Sequence, residues 1–227
     1  MEACVVDGTT THFGATALLH HIKNPILLAR EIHLAAPFQC LVGSAAEEFA
    51  MERGLQMVPQ KYFFTQERWK QHQDAPDDKP PPEWPTPLET VGAVALDLHG
   101  CMAAGTSTGG LNNKWDGRIG DTPVLGAASW AQHGIGAISA TGNGEHILRV
   151  GLAKEIVDRV KYSGQRVRNA AQEVIQGMEP GTAGCIAMDQ DGQVSMVMNT
   201  AGMYRGYMGM GMEQPIVNLF ADEDDHL

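Results

Sequence analysis

Two charged residues of one short segment have the types and the spacing to bind a free amino acid. Arg118 and Asp121 belong to GRIGD, residues 117–121, in which glycines punctuate the chain. An arginine fork can bind an α-carboxylate through two parallel hydrogen bonds, and an aspartate can bind an α-ammonium group. The other interpretation is a surface salt bridge, which is common and contributes little to stability. Residue types alone leave open both a surface salt bridge and a clamp for a small molecule with a free amino-acid backbone.

Thr90 stands where the composition of the chain changes abruptly. Residues 65–89 are polar, charged and rich in proline, whereas residues 91–97, VGAVALD, are an apolar run. A threonine at the start of a strand is ordinary, because β-branched residues suit a pleated surface. Its hydroxyl becomes a useful nucleophile only when a base lies beside it. Taken alone, Thr90 therefore leaves a structural and a catalytic role open.

The residues that follow Thr90 predict a β-hairpin that turns at His99-Gly100. Thr108 then lies on the strand next to Thr90 and is the second candidate hydroxyl. Thr106 and Ser107 are weaker candidates, since strand alternation points Ser107 to the opposite face of the sheet.

The elements that must position these residues fall into two groups. Residues 1–64 predict a short strand within 1–12, a helix that opens at Asn24-Pro25, a strand in 39–43 and a helix over 44–54 with Ser44 as its cap. Residues 90–227 predict the hairpin, a strand in 134–142, helices over 145–164 and 165–178, and a second hairpin that turns at Asp191-Gly192. This succession of strands, helices and strands indicates an α+β layered sandwich.

Between the two groups we expect a flexible linker over residues 65–89, because this composition cannot bury enough apolar area to order itself. The predicted organisation is one domain made of residues 1–64 and 90–227, with the linker between them.

Composition argues against several classes of function. The net charge of −11 does not fit a nucleic-acid surface, and no run of apolar residues is long enough to span a membrane. The four cysteines and nine histidines show no spacing typical of a metal site. We expect a cytoplasmic protein with reduced cysteines and without a bound metal.

Four segments taken together resemble the isoaspartyl peptidase/L-asparaginase family of N-terminal nucleophile hydrolases. They are ETVGAVALD (89–97), TSTGG (106–110), NNKWDGRIGDTP (112–123) and SATGNGE (139–145), and IKNPILLAR (22–30) and NTAGMYR (199–205) add to them. The resemblance covers most of residues 1–62 and nearly all of 90–210. NNKWDGRIGD fits this branch better than the related glycosylasparaginases.

The resemblance implies a four-layer αββα sandwich, made as a precursor that cuts itself between Glu89 and Thr90. Such a cut would give Thr90 a free α-amine, whose pKa near 8 makes it a serviceable base at neutral pH. One residue would then supply both the nucleophile and its base.

The resemblance also implies roles for the remaining candidates. The threonine that matches Thr108 hydrogen-bonds the hydroxyl of the nucleophile, and Thr141 and Gly142 match the oxyanion site, where they also contact the substrate. Arg118 and Asp121 match the residues that hold the substrate. No cofactor is implied, the substrate is a small molecule, and the assembly is an (αβ)₂ homodimer.

Two departures from the family pattern lead to further expectations. Family members carry roughly sixty further N-terminal residues, a length in keeping with ordinary domain sizes; these include a first strand and a sodium-binding loop, so we expect the sandwich to be incomplete at its N-terminus. Glu89 also stands where the family has glycine, and we expect slower self-cleavage because glycine permits a strained backbone.

The leading hypothesis is an amidohydrolase that converts L-asparagine to L-aspartate and ammonia and hydrolyses β-aspartyl (isoaspartyl) dipeptides. One alternative is a non-catalytic, truncated remnant that serves as an interaction protein. A second alternative is a threonine endopeptidase that cuts proteins after aspartate, although a protein substrate lacks the free α-groups that Arg118 and Asp121 suit.

Overall fold

The segment that follows Thr90 forms one edge of a five-stranded sheet. A computed structural model describes residues 1–74 and 90–220 of the chain. In spatial order the strands of this first sheet are β3 (Cys40–Val42), β2 (Phe13–Ala17), β1 (Glu2–Asp7), β5 (Met102–Thr108) and β4 (Val91–Leu96). All neighbours are antiparallel except β2 and β3. Among the described strands, β4 pairs with β5 alone, so that Thr90 begins an edge strand.

A second, antiparallel sheet faces the first. It contains β6 (Ser129–Gln132), β7 (Gly136–Gly142), β8 (Ala183–Asp189) and β9 (Val194–Met198) in that order. The strands β4 and β5 pack against β7. The layer between the sheets is built largely from small side chains, with Ala104 of the first sheet and Ala131 and Ala137 of the second in one buried cluster. Small side chains let the two sheets approach closely. A separate ribbon pairs β10 (Gly202–Tyr207) with β11 (Ile216–Phe220).

Helices cover the outer faces of both sheets. On the first sheet lie α1 (Pro25–Ala35), which packs on β1 and β2, and α2 (Gly43–Glu52), which packs on β2 and β3. The second sheet is covered by α5 (Leu152–Ser163) and α6 (Val167–Gln176), while α4 (Gly144–Val150) follows β7 directly. A further helix, α3 (Gln66–Asp74), and a 3₁₀ turn (Gln60–Phe63) follow α2 in the chain. This order of helix, sheet, sheet and helix confirms the predicted α+β sandwich.

In the part of the chain that the structure describes, no helix is both long and apolar enough to cross a membrane.

The first part of the predicted flexible linker is helical instead. Trp69 of α3 lies with its ring centroid 6.3 Å from that of Phe64 and 5.2 Å from that of His72. Gln71 Oε1 accepts a hydrogen bond of 2.9 Å from Asn112 Nδ2, which ties the helix to the segment after β5. A few aromatic and amide contacts thus order a stretch that has almost no apolar residues. Residues 75–89, including Glu89, lie outside the described residues.

Two helix boundaries also differ from expectation, whereas both predicted hairpins are present. Val42, not Ser44, is the residue before α2, and Gly43 takes a positive φ of 65° where the chain turns out of β3. The helix predicted over residues 145–164 is divided at Gly151, whose left-handed conformation ends α4 and starts α5. The sequence patterns did not predict β6 or the β10–β11 ribbon.

Candidate active site

Thr90 and Thr108 meet at the open end of the hairpin. Val91 of β4 pairs with Ser107 of β5, which places the preceding Thr90 across from Thr108. Thr90 Oγ1 donates a hydrogen bond of 3.3 Å to Thr108 Oγ1, and the backbone N–H of Gly110 donates one of 3.0 Å to the same atom. The structure therefore brings together two hydroxyls that the hairpin pattern placed on neighbouring strands. Thr108 Oγ1 accepts both of these hydrogen bonds, so its own O–H remains available to donate to another acceptor.

A buried hydroxyl contact joins this hairpin to the second sheet. Thr106, two residues before Thr108 on the same face of β5, places its Oγ1 2.7 Å from Ser139 Oγ of β7. Gly92 leaves room for this contact, because a Cβ there would lie 2.0 Å from Ser139 Oγ. Thr141 stands two residues beyond Ser139 on the same face of β7. The hydroxyl rows of β5 and β7 are thus held against each other.

The C-terminal ends of β5 and β7 lie at the same end of the sandwich. The loop after β5, residues 109–121, is called the clamp loop here, and it reaches the residues directly after β7. Arg118 Nε and Nη2 donate to Glu145 Oε1 and Oε2 at 3.0 and 2.9 Å. A Cβ on Gly144 would lie 2.7 Å from Asp121 Oδ1 and 3.0 Å from Arg118 Nη2, so a side chain at position 144 would displace the ends of both clamp side chains. Thr108, Thr141, Arg118 and Asp121 consequently share one end of the molecule.

Thr141 and Gly142 are the last two residues of β7, at the end of the sandwich that carries the clamp loop. The Oγ1 atom of Thr141 is buried and has no hydrogen-bond partner among the described residues. A buried hydroxyl without a partner costs stability, and a ligand oxygen can remove that cost. Gly142 has a φ of 153°, and a Cβ there would lie 2.1 Å from the carbonyl oxygen of Thr182. Close packing against residues 182 and 183 therefore requires glycine at position 142, and Thr141 offers the site a hydroxyl without a partner among the described residues.

Asp121 is nearly buried, with 7% of its surface exposed. Desolvation, together with the charges of Glu2 and Glu145, raises the pKa of its carboxyl group to about 6, against the opposing effects of a backbone hydrogen bond and Arg118. Its Oδ2 atom has no hydrogen-bond partner among the described residues. A ligand ammonium group would both satisfy this oxygen and stabilise the ionised form.

Two carboxylates that the sequence patterns did not indicate, Glu145 and Glu2, contact the clamp loop. Glu145 holds Arg118, and its only sequence signal was its position within SATGNGE, directly after a predicted strand. Glu2 is fully buried and accepts a hydrogen bond of 3.1 Å from the N–H of Gly120. Nothing in the local pattern around Glu2 pointed to the clamp loop.

An open cleft of about 1180 Å³ borders Thr108 and Arg118 and is lined also by Gly110, Lys114 and Val91. It gives small molecules access to the clamp loop from solvent. Within residues 1–74 and 90–220, no group of three or more His, Cys, Asp or Glu side chains is close enough together to hold a metal ion.

The sequence model of the asparaginase family matches residues 1–217, a range that includes every residue of this site. The chain belongs to the asparaginase family. It is 37% identical to the isoaspartyl peptidase of Escherichia coli strain K12, over 99% of this chain and 73% of that protein. A probable isoaspartyl peptidase/L-asparaginase 2 of Arabidopsis thaliana is also 37% identical, over 91% of this chain and 71% of the relative. The isoaspartyl peptidase/L-asparaginase of Danio rerio is 34% identical, over 93% and 71%.

Family membership confirms the resemblance read from the short segments and the expectation of an N-terminal nucleophile hydrolase. It does not favour a non-catalytic interaction protein or a threonine endopeptidase.

Proposed function

We propose that this chain hydrolyses L-asparagine to L-aspartate and ammonia and also hydrolyses β-aspartyl dipeptides. The relatives with these activities in their names support the reaction class. The observation that carries the proposal is the hydrogen bond of 3.3 Å between Thr90 Oγ1 and Thr108 Oγ1, at the end of the sandwich that also holds Arg118 and Asp121. A nucleophile candidate and a clamp for an amino acid are thus neighbours.

The first step of the proposed activity is self-cleavage. Thr90 Oγ1 attacks the carbonyl carbon of Glu89, the bond between Glu89 and the Thr90 nitrogen breaks, and water hydrolyses the resulting ester. The products are a carboxylate at Glu89 and a free α-amine at Thr90. Because an α-amine has a pKa near 8, it can accept a proton at neutral pH.

In the second step the α-amine of Thr90 takes the proton of its own hydroxyl, and Oγ1 attacks the side-chain carbonyl of the substrate. Thr141 Oγ1 and the N–H of Gly142 hold the oxyanion that forms. Ammonia, or the amine of a dipeptide, leaves with that proton, and water then hydrolyses the acyl ester to release aspartate. Thr108 keeps Oγ1 of Thr90 in place, because its own hydroxyl can donate to this atom once the Thr90 proton has moved to the amine.

Arg118 and Asp121 select the substrate in this proposal. Glu145 occupies the Nε and Nη2 edge of the Arg118 guanidinium and leaves Nη1 for a substrate carboxylate. Asp121 Oδ2, which lacks a partner among the described residues, receives the α-ammonium group. A residue inside a protein has neither free group, which disfavours cleavage of proteins after aspartate.

We further propose that the enzyme needs no cofactor, works in the cytoplasm and forms an (αβ)₂ homodimer. The nucleophile, base and oxyanion donors named above are all protein groups, which supports the first point. The four cysteines are free, as in reducing compartments.

The exposed apolar side chains of Tyr204 and Val217 on the β10–β11 ribbon, and of Met210 between its strands, support a partner surface. Light scattering of the processed protein would measure the homodimer directly.

The decisive experiment is aspartate release by the processed protein from L-asparagine, from a β-aspartyl dipeptide and from an unfolded protein rich in aspartate. We expect release from the first two substrates and no cleavage of the third. Processed protein that leaves both small substrates intact would refute the proposal, and cleavage of the protein after aspartate would favour the endopeptidase.

A further inference from the structure

Glu2 is a fully buried carboxylate that the proposed reaction does not use. It lies at the start of β1, where the following residues Ala3, Cys4 and Val6 are apolar and buried. An ionised group in such a place costs free energy unless it is paired and hydrogen-bonded. The contacts of the Glu2 carboxylate therefore indicate its role in the structure.

Those contacts are with the clamp loop. Both carboxylate oxygens of Glu2 accept from the N–H of Gly120, at 3.1 and 3.3 Å. Lys114 Nζ lies 3.7 Å from Glu2 Oε1 and donates a hydrogen bond of 3.3 Å to the carbonyl oxygen of Gly109. One carboxylate thus contacts the end of the loop directly and its beginning through a lysine.

Gly120 is the residue directly before Asp121 and two after Arg118. A Cβ on Gly120 would lie 3.2 Å from Glu2 Oε2 and 3.2 Å from Arg118 Nη1. The carboxylate and the guanidinium therefore approach the same stretch of backbone. Holding the N–H of Gly120 fixes the peptide between the two clamp residues.

Glu2 is also aligned with the nucleophile. It pairs with Thr108 across β1 and β5, and Thr108 hydrogen-bonds Thr90. Side chains of directly paired residues project from the same face of a sheet. Glu2, Thr108 and Thr90 therefore form one row across three adjacent strands, with the clamp loop attached to its Glu2 end.

We propose that Glu2 is a positioning residue that sets the distance between the clamp and the nucleophile. It joins the backbone of the clamp loop to the strand row that carries Thr108 and Thr90, so that a bound amino acid presents its side-chain carbonyl to Thr90. This inference rests on the proposed function, because it assigns Glu2 to substrate binding by the same site.

The test compares Glu2→Ala and Glu2→Gln with Val6→Ala, which removes buried volume from the same strand without touching the clamp loop. Glu2→Ala should lower kcat/KM for asparagine about 10²-fold, the cost of holding the reacting carbonyl about 1 Å out of place. Both kcat and KM should change, since Glu2 sets where the substrate is held relative to Thr90. Glu2→Gln keeps an acceptor for Gly120 and loses the charge that faces Lys114, so we expect KM to rise roughly fivefold. Val6→Ala should lower thermal stability and leave KM unchanged.

Hydrogen exchange of the amides of residues 109–121, read by mass spectrometry, gives an answer that does not depend on activity. Exchange should accelerate in Glu2→Ala and not in Val6→Ala. If Glu2→Ala does not fold, an unchanged KM and unchanged loop exchange in Glu2→Gln overturn the proposal. Equal effects of Val6→Ala and Glu2→Ala would also overturn it. Wild-type protein that releases no aspartate would refute the proposed function alone, and the exchange measurement would still decide the role of Glu2.

Discussion

The candidate site has two regions that are built in different ways. The hydroxyl region consists of Thr90, Thr106, Thr108, Ser139 and Thr141, all on or next to strands, with Thr106 and Ser139 in direct contact. The clamp region consists of Arg118 and Asp121 on the clamp loop, together with the carboxylates Glu2 and Glu145 that contact it. Neutral groups on strands make up the first region, and charges on a loop make up the second.

The difference shows how the two regions respond to change. Hydroxyls placed by strand register depend on neighbours at fixed spacing, and the contacts between them involve no charged side chain. The clamp region depends on charges that meet at the buried end of the clamp loop, where Asp121 and Glu2 are buried and the protonation or loss of one partner alters the others. We therefore expect substitutions in the hydroxyl region to act on kcat and those in the clamp region to act on KM and on pH dependence.

The largest effect is expected from Thr90→Ala, which removes the proposed nucleophile. Self-cleavage should be abolished, and hydrolysis of asparagine should fall by at least about 10⁴-fold, as when other catalytic nucleophiles are removed. Denaturing mass spectrometry should find wild-type fragments 1–89 and 90–227 and an intact Thr90→Ala chain. Wild-type protein that stays intact after long incubation at neutral pH, or cleavage elsewhere in residues 65–89, would contradict this assignment.

Thr141→Val removes one oxyanion donor and preserves the branched shape of the side chain. We expect kcat to fall about 10²–10³-fold, the usual cost of losing such a donor. The matched control is Thr16→Val, because Thr16 Oγ1 is also buried without a hydrogen-bond partner among the described residues but lies on β2. Both variants should unfold no more easily than wild type, and a similar kcat in both would remove Thr141 from the mechanism.

Arg118→Ala tests the clamp region. It should cost on the order of 2–4 kcal/mol in kcat/KM, through loss of a charge-assisted contact with the substrate carboxylate. Self-cleavage should change much less, because the scissile linker has no free carboxylate to bind at that point.

The control is Arg159→Ala, since Arg159 also hydrogen-bonds two carboxylates, Glu155 and Glu173, but on α5 away from the site. Equal loss of self-cleavage and hydrolysis in Arg118→Ala would mean that Arg118 supports the fold instead of the substrate.

The smallest effect is expected from Asp121→Asn, which should increase the free energy of unfolding. Its pKa of about 6 in the folded chain exceeds the ordinary value of 3.8, so the folded state binds more protons between these values. The contribution of Asp121 to the free energy of unfolding therefore falls as pH rises through this window. Asp121→Asn should raise the free energy of unfolding by on the order of 1–3 kcal/mol at pH 7.5 and not near pH 4. Urea unfolding at both pH values measures this, and an equal change at both would rule out the charge as its cause.

Much of the hydroxyl region was accessible from the sequence. The turn at His99-Gly100 and the apolar runs on either side predicted the hairpin, and its register does place Thr90 beside Thr108. By contrast, α3 was predicted as a flexible linker. Composition described its lack of apolar residues correctly but carried no information on the contacts of Trp69 and Gln71.

In the clamp region, the sequence indicated the two clamp residues but not the side chains that contact them. Residue types alone indicated that Arg118 and Asp121 could hold an amino acid, because a guanidinium and a carboxylate match its two charged groups. The partners of these residues were not accessible, since Glu2 lies 118 residues from Gly120 and Glu145 lies 27 residues from Arg118. The raised pKa of Asp121 could not be predicted from the sequence either, because it results mainly from burial by elements distant in sequence.

The sequence by itself determined which side chains can do the chemistry and which strand face carries each hydroxyl, because alternation along a strand is a local property with a period of two. Only the tertiary structure decided that β1 lies beside β5 and that the ends of β5 and β7 meet. Those neighbours bring Glu2, Thr108 and the clamp loop together. Strand order and sheet packing depend on contacts between residues far apart in the chain, which no local pattern of residue types encodes.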